Sequence, residues 1–269
     1  DMKRGSAAPT TFWCAGTGVR CVVHGDDFTF TGKGQELKRI KENMEKWYEI
    51  KVRAVLGDEA GDDKKITLLG RTLNWEKDKI TIEADEKHAK MIMEDMGIEE
   101  DSNGLVSPCV RDWVEKDEEE KLGPEEASAY RRTAARANFI APDRPDIQFA
   151  VKEACRGMSS PSIADRTRMK RLARYLKNIR KCEIVMDKEC RENNKLEVYV
   201  DSDWAGCRRT RKSTSGGVVM MGGCLVRSWS TTQSTIATSS GEAECYAMVR
   251  GGIGGARDER RVGGLGAQG

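Results

Sequence analysis

The sequence has no apolar run approaching the ~20 residues that a membrane-spanning helix needs, which argues against a helical membrane protein. Its first ten residues hold no apolar segment of the kind a secretory signal requires, and the chain does not begin with Met, as expected of a fragment of a longer chain. Histidine is nearly missing: His24 and His88 are the only two. The nine cysteines include no Cys-x-x-Cys pair and their number is odd, so a zinc site is not expected. Reduced thiols in an intracellular protein are the simpler expectation. What is present is 33% charged and 38% hydrophobic residues over 269 positions, the composition of a soluble globular chain long enough for two cores.

The net charge of +2 argues neither for nor against a nucleic-acid partner, but its distribution is uneven. Acids dominate from Glu99 to Glu126, including Asp117-Glu118-Glu119-Glu120, whereas Arg166 to Lys181 carries eight Lys or Arg and no acid. A charge run is commonly a solvated face. A one-sided basic helix is also how a protein follows a phosphate backbone.

The most informative stretch is Cys21 to Gly32, Cys-Val-Val-His-Gly-Asp-Asp-Phe-Thr-Phe-Thr-Gly. Two apolar-leaning runs flank Gly25-Asp26-Asp27, and Phe28 and Phe30 alternate with Thr29 and Thr31 at the period of a half-buried strand. A β-hairpin with both aspartates at its tip is predicted. Gly-Asp-Asp is ordinary turn chemistry. It is also a way for a rigid tip to hold two mutually repelling carboxylates for a divalent cation such as Mg²⁺. Consecutive residues of extended backbone point to opposite faces, which makes Asp26 the principal candidate and Asp27 its support.

Leu37, Ile40, Met44 and Trp47 then recur at helical spacing within Gln35 to Tyr48, predicting an amphipathic helix beneath the hairpin. Residues 66–74 and 79–83 read as two strands joined at Glu76-Lys77-Asp78. Residues 85–96 read as a helix with Ala89, Ile92, Met93 and Met96 on one stripe. The stretch from Ser102 to Gly123, holding Asn103-Gly104, Pro108 and the acidic run, is the expected linker. Pro124 suits the first turn of a helix running to about Phe139, which Pro142 and Pro145 end. Met169, Leu172, Ala173, Leu176 and Ile179 form the apolar stripe of the following helix. Its other faces carry Arg166, Arg168, Lys170, Arg171, Arg174, Lys177, Arg180 and Lys181.

In the last third, Leu196, Val198 and Val200 alternate with Glu197 and Tyr199 and bring Asp201 to the end of a strand. Residues 216–221 and 224–229 flank Gly222-Gly223, a strong two-residue hairpin signal, and Ser239-x-x-Glu242 is a capping box. Three antiparallel strands and a helix are predicted. Residues two apart lie ~200° apart around a helix, so only one of Glu242 and Glu244 can face the sheet. Glu242 is taken by the capping box, while Glu244 shares a stripe with Ala247 and Met248, so Glu244 is the candidate. Eight glycines from Gly251 to Gly269 argue against a long continuation of that helix.

Four segments carry a family resemblance: Arg144-Pro145-Asp146-Ile147-Gln148-Phe149-Ala150-Val151, Asp201-Ser202-Asp203-Trp204-Ala205-Gly206, Arg211-Lys212-Ser213-Thr214-Ser215-Gly216 and Ser239-Ser240-Gly241-Glu242-Ala243-Glu244. Together with the Gly-Asp-Asp hairpin, and in the same order over nearly the whole chain, they resemble the C-terminal part of copia-type retrotransposon polyproteins. His24-Gly25-Asp26-Asp27 stands where that family usually has Tyr-x-Asp-Asp, and Leu68-Leu69-Gly70 where it has Phe-Leu-Gly.

The resemblance implies an α+β fold in three parts. Residues 1–105 would be the C-terminal part of a reverse transcriptase palm, 106–190 a helical thumb or connection, and 191–269 a ribonuclease H-like domain incomplete at its C-terminus. It implies Asp26, Asp27, Asp201 and Glu244 as catalytic ligands of Mg²⁺, with Mn²⁺ as an alternative, and Asp203 in a supporting or turn role. Nucleic acid would meet His24, Arg166, Arg168, Lys170, Arg171, Arg174 and Lys177. Ribonuclease H chemistry needs carboxylates converging on two metal ions. The family's third aspartate comes from a later strand, and Asp258, ~21 Å along a continuous helix from Glu244, is too distant to replace it. The polymerase's remaining aspartate lies upstream. The intact parent would use template RNA, primer and deoxynucleoside triphosphates to make DNA, and would degrade the RNA strand of the RNA/DNA hybrid, in a cytoplasmic particle or the nucleus. Both sites are expected to be incomplete in this chain, which leaves a second expectation of a different class: a non-catalytic, nucleic-acid-binding remnant of a mobile element.

Overall fold

A strand pair closed by two residues must find left-handed backbone at its turn, and three hairpins of this chain do so, two with both turn residues and one with a single glycine. The computed structural model describes residues 2–110, 120–187 and 195–263, the side chains of 261–263 excepted. Most of the acidic run (residues 117–119) and the end of the glycine-rich tail (264–269) therefore lie outside the described residues. The chain divides into two compact units, Asp1–Val55 with Gly252–Gly269, and Leu56–Gly251.

The first unit holds an antiparallel sheet in the order β1 (Lys3–Arg4), β2 (Thr11–Trp13), β3 (Arg20–His24), β4 (Asp27–Thr31), followed by α1 (Gly34–Glu45). The β3–β4 hairpin pairs His24 with Asp27, leaving Gly25 and Asp26 as its two turn residues. Of these only Gly25 has positive φ, +62°, the pattern of a type II′ turn. The expected helix is present but shorter, and none of its side chains is fully buried. Trp47 and Tyr48 lie beyond its end, 82% and 68% exposed, so the anticipated stripe of Leu37, Ile40, Met44 and Trp47 is not a core face.

In the second unit, β5 (Lys65–Leu68), β6 (Arg71–Trp75) and β7 (Lys79–Ala84) form a meander. The single strand expected over residues 66–74 is in fact two. Leu69 and Gly70 both take positive φ, +52° and +72°, and turn the chain back on itself. α2 (Glu86–Asp95) is capped by the Asp85 carboxylate, which accepts from the Lys87 N–H. α3 (Pro124–Ile140) starts on its proline as expected, and two 3₁₀ turns, Ala141–Asp143 and Pro145–Ile147, lead into α4 (Gln148–Arg156). α5 (Ile163–Asn178) opens with a full capping box between Ser162 and Asp165. The chain then returns as β8 (Glu183–Asp187), which pairs antiparallel with β7. A second sheet follows, ordered β11 (Cys224–Thr232), β10 (Thr214–Met221), β9 (Leu196–Asp203), and then α6 (Ser240–Gly263). Gly222 and Gly223, at φ +55° and +83°, close the β10–β11 hairpin in the type I′ manner that the sequence signalled.

The core of this unit is the packing of α2, α3, α4 and α5, with Ile92, Tyr130, Ile140, Ile147, Met169, Leu172 and Leu176 almost wholly buried. Each such side chain contributes about 1.5–3 kcal/mol through burial. Ala134 and Ala137, both at 0% exposure, keep the α3 surface low enough for close helix contact. The Tyr130 hydroxyl donates to the Ala154 carbonyl at 2.7 Å, so the one polar atom that this core takes in from α3's aromatic is satisfied.

The Arg-Pro-Asp signature is part of the same packing. Arg144, 2% exposed, donates from Nε and Nη2 to the two oxygens of Asp146 at 3.0 and 2.7 Å. It also donates to the carbonyls of Ile179 at 2.9 Å and Arg180 at 3.3 Å, just past the end of α5. The Tyr175 hydroxyl donates to Asp146 at 2.9 Å. The signature therefore clamps the two carbonyls that follow the C-terminal end of α5.

α6 continues through glycines that should have ended it. A Cβ on Gly251 would lie 2.4 Å from Cγ1 of Val200 on β9, so this glycine allows the helix to lie against the strand. A Cβ on Gly252 would meet no described atom within 4 Å. Adjacent substitutions should consequently differ in sign. Gly252→Ala gains up to ~1 kcal/mol of helix propensity. Gly251→Ala gains the same but pushes a β-branched side chain with little χ1 freedom, at about 1–3 kcal/mol of overpacking. Urea midpoints of the two variants, one above and one below that of the unaltered chain, are the expected result.

Candidate carboxylate sites and basic surfaces

At the β3–β4 tip the Asp26 side chain is exposed, as the Gly-Asp-Asp corner implied, and His24 is exposed beside it. Asp27 is half-buried and its carboxylate meets the Arg53 guanidinium at 3.0 Å. Phe28 and Phe30 stack with ring centroids 6.4 Å apart, although Phe28 remains 53% exposed.

On the second sheet, register and alternation decide which side chains meet. Val198, Val200 and Ser202 of β9 pair with Val219, Gly217 and Ser215 of β10, and the buried members of this set define the face that α6 covers. Ala243 and Ala247, 0% and 1% exposed, line up with Gly251 on the inner side of α6. The expected Met248 is instead 55% exposed, because the small residues four apart make the closer contact. Glu244 flanks that stripe. Its Oε1 accepts from the Ser202 hydroxyl at 3.0 Å and from the Ser202 N–H at 3.3 Å. Asp201 precedes Ser202, is exposed, and by strand alternation belongs to the other face. The structure thus brings Glu244 to β9 next to Asp201 in the chain, through the intervening serine. Asp203 accepts from the Thr214 N–H, a turn-closing role at the end of the β9–β10 pair.

Glu242 is engaged otherwise. Its Oε2 accepts from the Thr238 N–H and hydroxyl, both at 2.6 Å, its Oε1 accepts from the Tyr246 hydroxyl at 2.8 Å, and its own N–H donates to Ser239 Oγ at 3.2 Å. Those donors, Thr238 foremost, hold the Glu242 carboxyl below the usual carboxylate range. Among the described residues no three His, Cys, Asp or Glu side chains gather closely enough to hold a metal ion.

The basic helix α5 buries Met169, Leu172, Ala173 and Leu176 as expected, with Tyr175 added and Ile179 left 37% exposed just past its end. Many of its cations are engaged within the chain. Arg166 pairs with Glu126 at 2.5 Å and Arg168 with Asp165 at 3.0 Å. Arg174 Nε donates to the Asn103 carbonyl at 2.7 Å, and Lys177 Nζ donates to the carbonyls of Glu99, Glu100 and Ser102. Lys170 is exposed. Arg171 is half-buried, and its Nε–H is buried with no hydrogen-bond acceptor among the described residues.

Sequence reasoning did not single out a cleft at the meeting of α4, α5 and the segment between β9 and β10. Arg156, Arg168, Arg171 and Arg208 line it, with Glu153 and Asp203 as its acids and Phe149 and Cys207 among its other walls. Arg156 Nη2 donates to Cys207 Sγ at 2.9 Å and the Thr210 N–H donates to the same sulfur at 3.4 Å. Burial by itself would raise the Cys207 thiol. The Thr210 hydrogen bonds and the Arg156 guanidinium outweigh it and hold the thiol below the usual range. The only signal in sequence was the Glu153–Arg156 spacing of three on α4, which is common on helices.

These features define a class of mixed helix and sheet architecture in which a three-stranded antiparallel sheet receives a glutamate-bearing helix on its first strand, beside a helical block with a basic cleft. No protein-family model and no solved structure matches the chain. Over 125 residues it is 38% identical to an uncharacterized mitochondrial protein of Arabidopsis thaliana, covering 45% of this chain and 50% of that protein. It is 34% identical over 116 residues to the retrovirus-related Pol polyprotein from transposon RE1 of the same plant, 43% of this chain and 8% of the polyprotein. It is also 36% identical over 107 residues to secreted RxLR effector protein 161 of Plasmopara viticola, 39% of this chain and 72% of that protein. The mitochondrial protein and the Pol polyproteins from transposons RE1 and RE2 are consistent with a fragment of a copia-type retrotransposon polyprotein. The chain spans half the length of the mitochondrial relative and a small part of the Pol polyproteins.

Proposed function

We propose that this chain is a nucleic-acid-binding portion of a reverse transcriptase–ribonuclease H polyprotein, and that copying RNA and cutting the RNA strand of a hybrid are activities of the intact parent. On this reading residues 1–105 end a polymerase palm, 106–190 form the connection and 191–269 begin a ribonuclease H-like domain. The observation that carries it is the seat of Glu244: strands β9, β10 and β11 are followed by a helix that delivers a glutamate onto β9 beside Asp201. The names of the Pol polyprotein relatives support it.

Mg²⁺ demands near-octahedral oxygen donors, and this chain's own residues fall short of them. The Asp27 charge is met by Arg53, and among the described residues no three His, Cys, Asp or Glu side chains gather to hold a metal ion. We therefore assign no catalytic step to the chain by itself. Its binding of an RNA/DNA hybrid and its Mg²⁺-dependent cleavage of that hybrid can be measured for the chain alone, and again after joining the family's downstream strand and helix. Binding without cleavage is expected for the first, and cleavage for the second. An extended protein that binds but never cleaves would remove the ribonuclease H part of the reading, and a chain that binds no hybrid would remove all of it.

A further inference from the structure

We infer that the cleft between α4, α5 and the β9–β10 segment seats a phosphate of a nucleic-acid strand, with Arg171 and Arg156 as the contacting groups. This rests on the nucleic-acid-binding reading above and moves the contact from the outer face of α5 to the cleft. On the outer side, Arg166, Arg174 and Lys177 are held by a carboxylate and by backbone carbonyls of distant segments. Four guanidinium groups and two carboxylates line the cleft; Arg168 pairs with Asp165 at 3.0 Å, and both lining carboxylates are engaged. Glu153 takes Lys152 at 2.7 Å and Arg156 at 2.9 Å, and Asp203 takes the Thr214 N–H. Neither serves the Arg171 Nε–H, which is buried without an acceptor among the described residues. Native proteins rarely leave a buried donor in that condition, and the strongest acceptor for a guanidinium is a carboxylate or phosphate oxygen.

Two further features select a phosphate on a strand. Arg156 directs a guanidinium N–H at the sulfur of Cys207 in the same cleft, so a hydrogen-bond donor of this group already faces the cleft wall. Phe149, 41% exposed, lies in the same wall with the Lys152 ammonium 4.5 Å from its ring centroid. An exposed ring beside guanidinium groups suits a sugar or base next to the phosphate, whereas a free inorganic anion has no use for it.

The test uses the full chain, a labelled RNA/DNA hybrid and the Cys207 thiol as a reporter inside the cleft. Arg171→Ala should weaken hybrid binding about tenfold and reduce the slope of log K against log salt by about one. Lys90→Ala, which removes an exposed cation of α2 outside the cleft, should change neither appreciably. Hybrid should slow alkylation of Cys207 by N-ethylmaleimide several-fold, as mapped by peptide mass, and the same phosphate concentration supplied as inorganic phosphate should not. Hybrid binding that is lost equally in both variants, with Cys207 unprotected, overturns the cleft and leaves the nucleic-acid reading standing. Inorganic phosphate protecting as well as hybrid reduces the cleft to a simple anion site and overturns the assignment to a strand. No hybrid binding by the unaltered chain overturns both. Should Arg171→Ala fail to fold, protection of Cys207 in the unaltered chain decides.

Discussion

Arg144→Ala is expected to cost about 3–5 kcal/mol of folding stability, the range for removing one partner of a buried ion pair. The loss should appear as a lower urea midpoint at unchanged slope. The magnitude follows from what is left behind. Asp146 would keep the Tyr175 hydroxyl, but its charge would be stranded in a site where burial alone already favours the neutral acid. The carbonyls of Ile179 and Arg180 would lose their donor as well. Replacing both partners, as in R144M with D146L, should cost less than the sum of the single changes, because no uncompensated charge remains.

The pH dependence gives an independent check with a definite sign. Burial by itself would raise the Asp146 carboxyl, yet the Arg144 hydrogen bond and charge, helped by Tyr175, outweigh it and hold the group below the usual aspartate range. A depressed folded pKa stabilises fully above the unfolded value of about 4 and is lost as pH falls through the folded value. In the Arg144→Ala protein only the Tyr175 and backbone hydrogen bonds still oppose burial, so the folded pKa rises and less stability is lost on acidification. The gap between the two proteins should therefore be largest near neutral pH and shrink below about pH 4. A gap that stayed constant from pH 7 to pH 3 would show that the Asp146 charge is not what Arg144 balances.

How far the sequence could be read depended on whether each feature is local. Gly222-Gly223 and Gly25-Asp26 are turn signals in adjacent residues, and both hairpins form where they were expected. The Leu69-Gly70 turn was hidden because Leu68-Leu69 looks like continued strand, and a leucine at positive φ is not something residue preferences suggest. The α5 stripe was legible at helical period. The partners of its cations were not, since the carbonyls that hold Arg174 and Lys177 come from residues more than 70 positions away. The pairing of β7 with β8, as of Glu83 with Glu183, spans still more chain and leaves no local mark. The same holds for the cleft: Arg156 and Cys207 are 51 positions apart and became neighbours only when the helical block met the second sheet. Choosing Glu244 over Glu242 needed only the angle between two positions on a helix, a local property, and the structure uses the two side chains in correspondingly different ways.

That difference yields the second prediction. In the protein extended by the family's downstream strand and helix, Glu244→Gln is expected to abolish cleavage of an RNA/DNA hybrid, a loss of at least about a hundredfold, while Glu242→Gln keeps most of it. Glu244 reaches β9 with a single oxygen, Oε1, bonded to Ser202, a bond that an amide can still make. Glutamine there should preserve the fold and remove only the negative charge, so a fall in rate without a fall in melting temperature is the expected signature. Glu242 spends its oxygens on Thr238 and Tyr246 at the start of α6. Its low proton affinity means that the carboxylate is the form those donors prefer, and glutamine offers them one carbonyl oxygen in place of two. A lower melting temperature with cleavage largely intact is expected. Because a depressed carboxyl stabilises fully above its unfolded pKa and loses that contribution as pH falls through the folded one, the difference in melting temperature should fade below about pH 4 as the unaltered Glu242 becomes protonated too. The reverse ranking, cleavage surviving Glu244→Gln and lost in Glu242→Gln, would mean that the hydrogen-bonded cap and not the sheet-facing glutamate carries the chemistry.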